Sequence, residues 1–152
     1  MDDKISMENM KIAYNIVGDT IGDLDNKAYQ LITIIGVMFT LQVTLLSQKC
    51  SGLSKIFLIF SLICYAISAM LFVKSSFVKG YQVYPTNESV KFHYEEDVSM
   101  EEYYSGAIGD YYDVINYNRD FIDKKSFDMK FGFYFFIFGL ILTLMTIIFV
   151  VI

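Results

Sequence analysis

The sequence predicts an all-α membrane protein: three transmembrane helices, an amphipathic helix ahead of them, and a further helical segment on the cytoplasmic side. Three observations predict it. Hydrophobic residues make up 55% of the chain, although it carries a net charge of -5. The charges are segregated, since no Asp, Glu, Lys, Arg or His occurs in residues 28–48, 56–73 or 131–152. As helices these runs cover roughly 31, 27 and 33 Å, against a hydrocarbon core of about 30 Å. One such run could be the core helix of a soluble domain; three in 152 residues could not.

In chain order, residues 1–27 form a leading helix. Met10, Ala13, Tyr14, Val17, Ile21, Leu24 and Ala28 fall on one face at helical spacing. Its acidic polar face does not suit adhesion to anionic lipid, so packing against another helix is expected. Residues 28–75 form a transmembrane hairpin with spans at 28–48 and 56–73. Lys55 and Lys74 flank the shorter span and can snorkel to the two interfaces. Residues 76–130 form an acidic segment. Within it, Ser99-Met100-Glu101-Glu102 has capping-box spacing and opens a helix over about 99–125. Met100, Tyr104, Ile108, Tyr111, Ile115 and Ile122 define its apolar side. Lys124 and Lys125 suit the dipole at its end. Before it, Tyr81–Tyr84 and Ser89–Tyr94 are rich in β-formers, so a small β-hairpin or an extended strap is expected. Residues 131–152 form the third transmembrane helix.

The basic residues set the direction. With three spans, the N-terminal segment and the 74–130 loop share one side and carry ten of the twelve Lys and Arg. Lys49 and Lys55 alone lie on the other. The positive-inside bias then places the N-terminus and the large loop in the cytoplasm and the C-terminus outside, in a multi-pass protein of the plasma membrane. Asn87-Glu88-Ser89 fits the glycosylation pattern but would face the cytoplasm, and is set aside. The first apolar run begins late and behind six acids, which does not fit a signal peptide.

Membrane helices associate through small and weakly polar residues, because lipid tails are as apolar as Leu. Each span has such a stripe, a candidate helix-packing or pore seam. In the first, Gln30, Thr33, Gly36, Thr40, Thr44 and Ser47 follow steps of three or four. In the second, Ser54, Ser61, Ser68 and Ser75 recur every seven residues beside Cys64. In the third, Gly132, Gly139, Thr143 and Thr146 share a face. The seams either close one bundle or line an oligomer interface or polar pore. Gln42 lies off the first stripe and calls for a partner on another helix or another subunit. No ionisable residue lies within the spans, which argues against a proton-coupled transporter.

Chemistry is scarce. His93 is the only histidine, with Glu95, Glu96 and Asp97 nearby, too few nitrogen ligands for a metal site. Cys50 and Cys64 have neither metal nor framework spacing. No nucleophile elbow or phosphate-binding glycine loop occurs. The expectation is a protein that is not an enzyme, with no cofactor, metal or catalytic residue. The tyrosines at 103, 104, 111, 112 and 117 could stack on bases, but the surrounding acidity opposes a phosphate backbone, so no nucleic-acid partner is expected.

The stretch Asp25-Asn26-Lys27-Ala28-Tyr29-Gln30-Leu31-Ile32-Thr33 joins the leading helix to the first span. Its Asp25, Lys27 and Ala28 resemble the Asp-x-Lys-Ala lead into the first span of Pycsar-type effector proteins and the related SLATT membrane proteins of prokaryotic defence systems. The family layout of leading helix, hairpin spans, cytoplasmic stretch and further span would cover nearly the whole chain. Here the stretch after the second span is an acidic insertion, where family members often have a shorter and basic one. The resemblance implies an antiphage effector, a homo-oligomer that compromises the inner membrane when triggered by a cyclic nucleotide or a partner sensor protein. The competing expectation is a structural or accessory subunit that anchors a larger membrane complex and conducts nothing.

Overall fold

In a computed structural model of the chain, residues 2–47, 52–77, 80–84 and 99–151 are described, with backbone alone at 2–3 and 150–151. The architecture is all-α. Helix α1 runs Asp2–Leu46, α2 runs Gly52–Phe77 and α3 runs Met100–Val151. All three are long and apolar enough to cross a membrane. No strand occurs among the described residues. Tyr81–Tyr84 is irregular rather than β, while the expected partner strand Ser89–Tyr94, His93 and the Asn87 site lie outside the described residues. So does Cys50.

The leading helix and the first span are one unbroken helix, and so are the capped helix and the third span. The capping box forms as its spacing demands. The Glu102 N–H donates to Ser99 Oγ at 3.3 Å, and the Ser99 N–H donates to Glu102 Oε2 at 3.2 Å. Nothing between 125 and 131 breaks α3, since that stretch contains neither Pro nor Gly. Lys124 and Lys125 therefore sit in mid-helix, and the helix dipole is not what Lys125 serves.

The chain divides into two compact units. The first comprises Met1–Asp23 and Lys79–Lys124. Its core is Val17, Ile21, Ile115 and Phe121, flanked by Met10, Ala13, Tyr14 and Ile122. On α3 the buried positions are Ala107, Tyr111, Val114, Asn118 and Phe121, with Ile115 beside them, whereas Met100 is exposed. This differs from the face that steps of four define. Alternating steps of four and three keep a 3.5-residue period, which holds a seam against a partner helix where the wider pattern drifts off it. The segment 80–84 is held against this core. The Gln82 N–H donates to Asn118 Oδ1 at 2.9 Å, and Asn118 Nδ2 donates to the Gln82 carbonyl at 2.9 Å. The Tyr84 N–H donates to the Tyr14 hydroxyl at 3.1 Å. One side-chain amide thus replaces the ladder that a neighbouring strand would supply.

The second unit comprises Leu24–Val78 and Lys125–Ile152 and holds all three charge-free runs. Its hydrophobic core is Ala28, Ile35, Tyr65, Phe72 and Phe136. Its polarity is inverted relative to a water-soluble bundle. Gln42, Ser54, Ser61 and Ser68 are fully buried, while Val37, Leu41, Phe60, Met70, Phe138 and Leu144 are exposed. In water such an apolar surface would drive association; in lipid it is the matched solvent. The unit is built for a bilayer.

Candidate functional site

The second unit is organised by a buried polar seam whose repeat is seven residues. On α2 the seam is Ser54, Ser61, Ser68 and Ser75; on α3 it is Lys125, Gly132, Gly139 and Thr146; on α1 it is Ala28, Ile35 and Gln42. Helices α2 and α3 run antiparallel in fixed register. Ser68 Oγ donates to the Gly132 carbonyl at 2.7 Å, and one heptad away Ser75 Oγ donates to the Lys125 carbonyl at 3.3 Å. The glycines let aromatic rings lie on bare backbone. A Cβ on Gly132 would stand 3.0 Å from the Phe72 ring, and one on Gly139 would stand 3.0 Å from the Tyr65 ring. Both rings are 0% exposed, so neither has room to retreat.

One layer further along, Gln42 finds its partners within the same chain. Its Nε2 donates to Thr143 Oγ1, and its Oε1 accepts from Ser61 Oγ at 2.8 Å. Thr143 Oγ1 donates to the Gly139 carbonyl at 2.8 Å and lies 3.2 Å from the Tyr65 hydroxyl. Its single proton goes to the carbonyl, so the Tyr65 hydroxyl donates to it, and the Thr143 oxygen is fully used. Ser61 also reaches the Leu58 carbonyl at 2.9 Å. Cys64 is buried beside this layer as a free thiol. Ser76 Oγ is buried without a hydrogen-bond partner among the described residues.

The stripe on the first span behaves differently. Gln30, Thr33, Gly36, Thr40, Thr44 and Ser47 all face outward. Thr33, Thr40 and Thr44 donate their hydroxyl protons to the carbonyls of Tyr29, Gly36 and Thr40, four residues back on their own helix. The structure thus brings Ser61, Cys64, Ser68, Gly139 and Thr143 together and leaves the five α1 positions Gln30 to Thr44 on the surface.

Asp25, Lys27 and Ala28 take three separate roles. Ala28 is 0% exposed in the hydrophobic core of the second unit. Asp25 accepts from Lys125 Nζ at 2.5 Å, and that lysine is 2% exposed. Lys27 is exposed and lines a cavity of about 570 Å³ together with Gln30 of α1 and Lys130 and Tyr134 of α3. A second ion pair, Lys74 Nζ to Asp128 Oδ1 at 2.9 Å, joins α2 to α3. Lys125, Asp128 and Asn118 are buried polar residues of the seams that helical periodicity alone does not reveal, since periodicity counts apolar positions. For Asn118 and Lys125 the one sequence signal is the seven-residue step that links them to Gly132.

In the first unit, Tyr111 gathers the other rings. The Tyr84 ring lies 3.9 Å from it and the Tyr14 ring 5.6 Å, edge-on. Burial pushes the Tyr84 phenol up to about 12, helped by Asp110 and by Tyr103 and Tyr111. Burial also raises Tyr111, with Tyr103 and Tyr14 adding to it.

A family model describing the Pycsar effector protein domain matches residues 9–152, which takes in the Asp25–Ala28 stretch and all three spans. No curated protein and no solved structure matches the chain.

Proposed function

Since this chain belongs to the Pycsar effector protein domain family over residues 9–152, we propose that it is an oligomeric effector of prokaryotic antiphage defence that disrupts the membrane it spans. The family match through all three spans carries this reading. In it the protein catalyses nothing, and its action is a change in how its helices associate within the bilayer.

One feature, the outward stripe of α1, supports an assembly step. The polar groups of the seam are bonded within one chain, so a lone copy is a closed bundle. The outward stripe at Thr33, Gly36, Thr40 and Thr44 has its hydroxyls satisfied by its own backbone, and can face lipid until a helix of another copy covers it. The lysine distribution supports an N-terminus and acidic segment in the cytoplasm and a C-terminus outside. A cyclic nucleotide or a sensor protein would then act on the first unit. A non-conducting subunit that anchors a membrane complex is the competing reading, and the completeness of the Gln42 layer within one chain favours it.

Inducible expression in a heterologous bacterium, followed with a membrane-potential dye, tests the proposal. Prompt depolarisation that is blunted by Thr40→Leu supports it, because Thr40 is outside the packed seam and the substitution leaves the bundle intact. A harmless protein that co-purifies with a fixed membrane partner sinks it.

A further inference from the structure

The cavity between α1 and α3 in the second unit combines an apolar wall with unpaired positive charge. Leu31, Ile34, Met129 and Phe133 supply the wall, and Lys27 and Lys130 supply the charge. Both lysines are exposed and make no ion pair among the described residues, while Asp25 is held by Lys125 and Asp128 by Lys74. Lys27 immediately precedes the charge-free run of α1 and Lys130 that of α3, so both ammonium groups stand where the hydrocarbon begins. Gln30, Ser126 and Tyr134 add polar atoms to the lining. At about 570 Å³ the space falls in the range of small-molecule sites.

We propose that this cavity seats one anionic phospholipid, its phosphate between Lys27 and Lys130 and an acyl chain along Leu31, Ile34 and Met129. Basic recesses between spans at a membrane surface hold acidic headgroups, and each lysine near that surface adds attraction for them. A zwitterionic lipid offers its phosphate together with a cation and is held less well. The inference stands on the cavity and on membrane insertion, and it holds whether or not the effector reading does.

The full chain is reconstituted in nanodiscs of equal phosphatidylglycerol and phosphatidylcholine, released into mild detergent, and its retained lipid counted by native mass spectrometry. Wild type should retain one phosphatidylglycerol per chain, preferred over phosphatidylcholine by roughly tenfold. Lys27→Gln with Lys130→Gln should bring the two lipids close to parity. Met129→Trp, which fills the cavity and keeps both charges, should also abolish retention. Parity in wild type overturns the proposal, and so does a preference that survives the double lysine variant. A preference that survives Met129→Trp overturns it too, because the lysines would then act as diffuse surface charge. Should a variant lose native helicity, the single lysine substitutions and Ile34→Trp replace it in the same assay and are read the same way.

Discussion

The Lys125 ammonium group is 2% exposed and lies 2.5 Å from the carboxylate of Asp25, which is 32% exposed. The pair joins α1 to α3 across one hundred positions of sequence. The unequal burial makes the two partners unequal in consequence. Removing the acid takes the carboxylate from an ammonium group that solvent scarcely reaches, while removing the lysine leaves a carboxylate that can hydrate. Asp25→Asn should therefore cost about 3 kcal/mol, and Lys125→Met less than about 1.5 kcal/mol. Unfolding by titrated denaturing detergent, followed by circular dichroism, measures both. Equal losses would show that the ammonium group reaches water in the folded state.

The contact of Gly132 with Phe72 is a second place where magnitude decides. An added methyl at Gly132 would meet the Phe72 ring at 3.0 to 3.2 Å, and the ring is 0% exposed. Overpacking of this kind costs about 1–3 kcal/mol. Gly132→Ala should fall in that range, and Phe72→Leu in the same chain should recover part of it. A double-mutant cycle should return a coupling of about 1 kcal/mol. Strict additivity would mean that the ring swings aside.

What the sequence discloses about this fold depends on contrast. Ser54, Ser61, Ser68 and Ser75 stand out against an apolar helix, so a seven-residue polar repeat locates the α2 seam, and those four residues are buried. On α1 the polar residues at steps of three or four point to Thr33, Thr40 and Thr44, which the structure turns outward. Lipid accepts Val37 and Leu41 as readily as a protein core accepts Ile35, so hydrophobicity says nothing of inside or outside there. The step Ala28–Ile35–Gln42 marks the buried face, and Gln42 is its one visible signal. The strap around Gln82 is held by the Asn118 amide of α3 and the Tyr14 hydroxyl, by tertiary placement that no local pattern encodes.

The Gln42 layer yields a prediction about which polar residue matters. With Gln42→Leu, Ser61 still has the Leu58 carbonyl, and Thr143 still has the Gly139 carbonyl and the Tyr65 hydroxyl. No group is stranded, and hydrogen bonds between membrane helices average about 0.6 kcal/mol, so the loss should stay below about 1 kcal/mol. Thr143→Val removes the shared acceptor and strands both the Gln42 amide and the Tyr65 hydroxyl. It should cost about 2 kcal/mol, because an unsatisfied buried donor carries its full desolvation penalty. The same detergent titration ranks the two, and the reverse order would place the centre of the layer at Gln42.

Tyr84 gives the alkaline limit of the first unit. Its phenol is pushed up to about 12 from an ordinary 10.0, chiefly by burial and secondarily by the charge of Asp110. Between those values the folded chain keeps a proton that the unfolded chain has released. Stability from this source is therefore complete below pH 10.0, falls as pH rises through the window, and is gone above about 12. In an ultraviolet titration of tyrosinate, subtracting the Tyr84→Phe profile from wild type should isolate one phenol that ionises late. Hydrogen exchange at the Gln82 and Tyr84 amides should accelerate across the same window in wild type, as ionised Tyr84 leaves its place against Tyr111. In Tyr84→Phe only the ordinary base-catalysed rise with pH should remain, without this added loss of protection. A difference profile centred near the ordinary value would show that Tyr84 is already open to water in the folded protein.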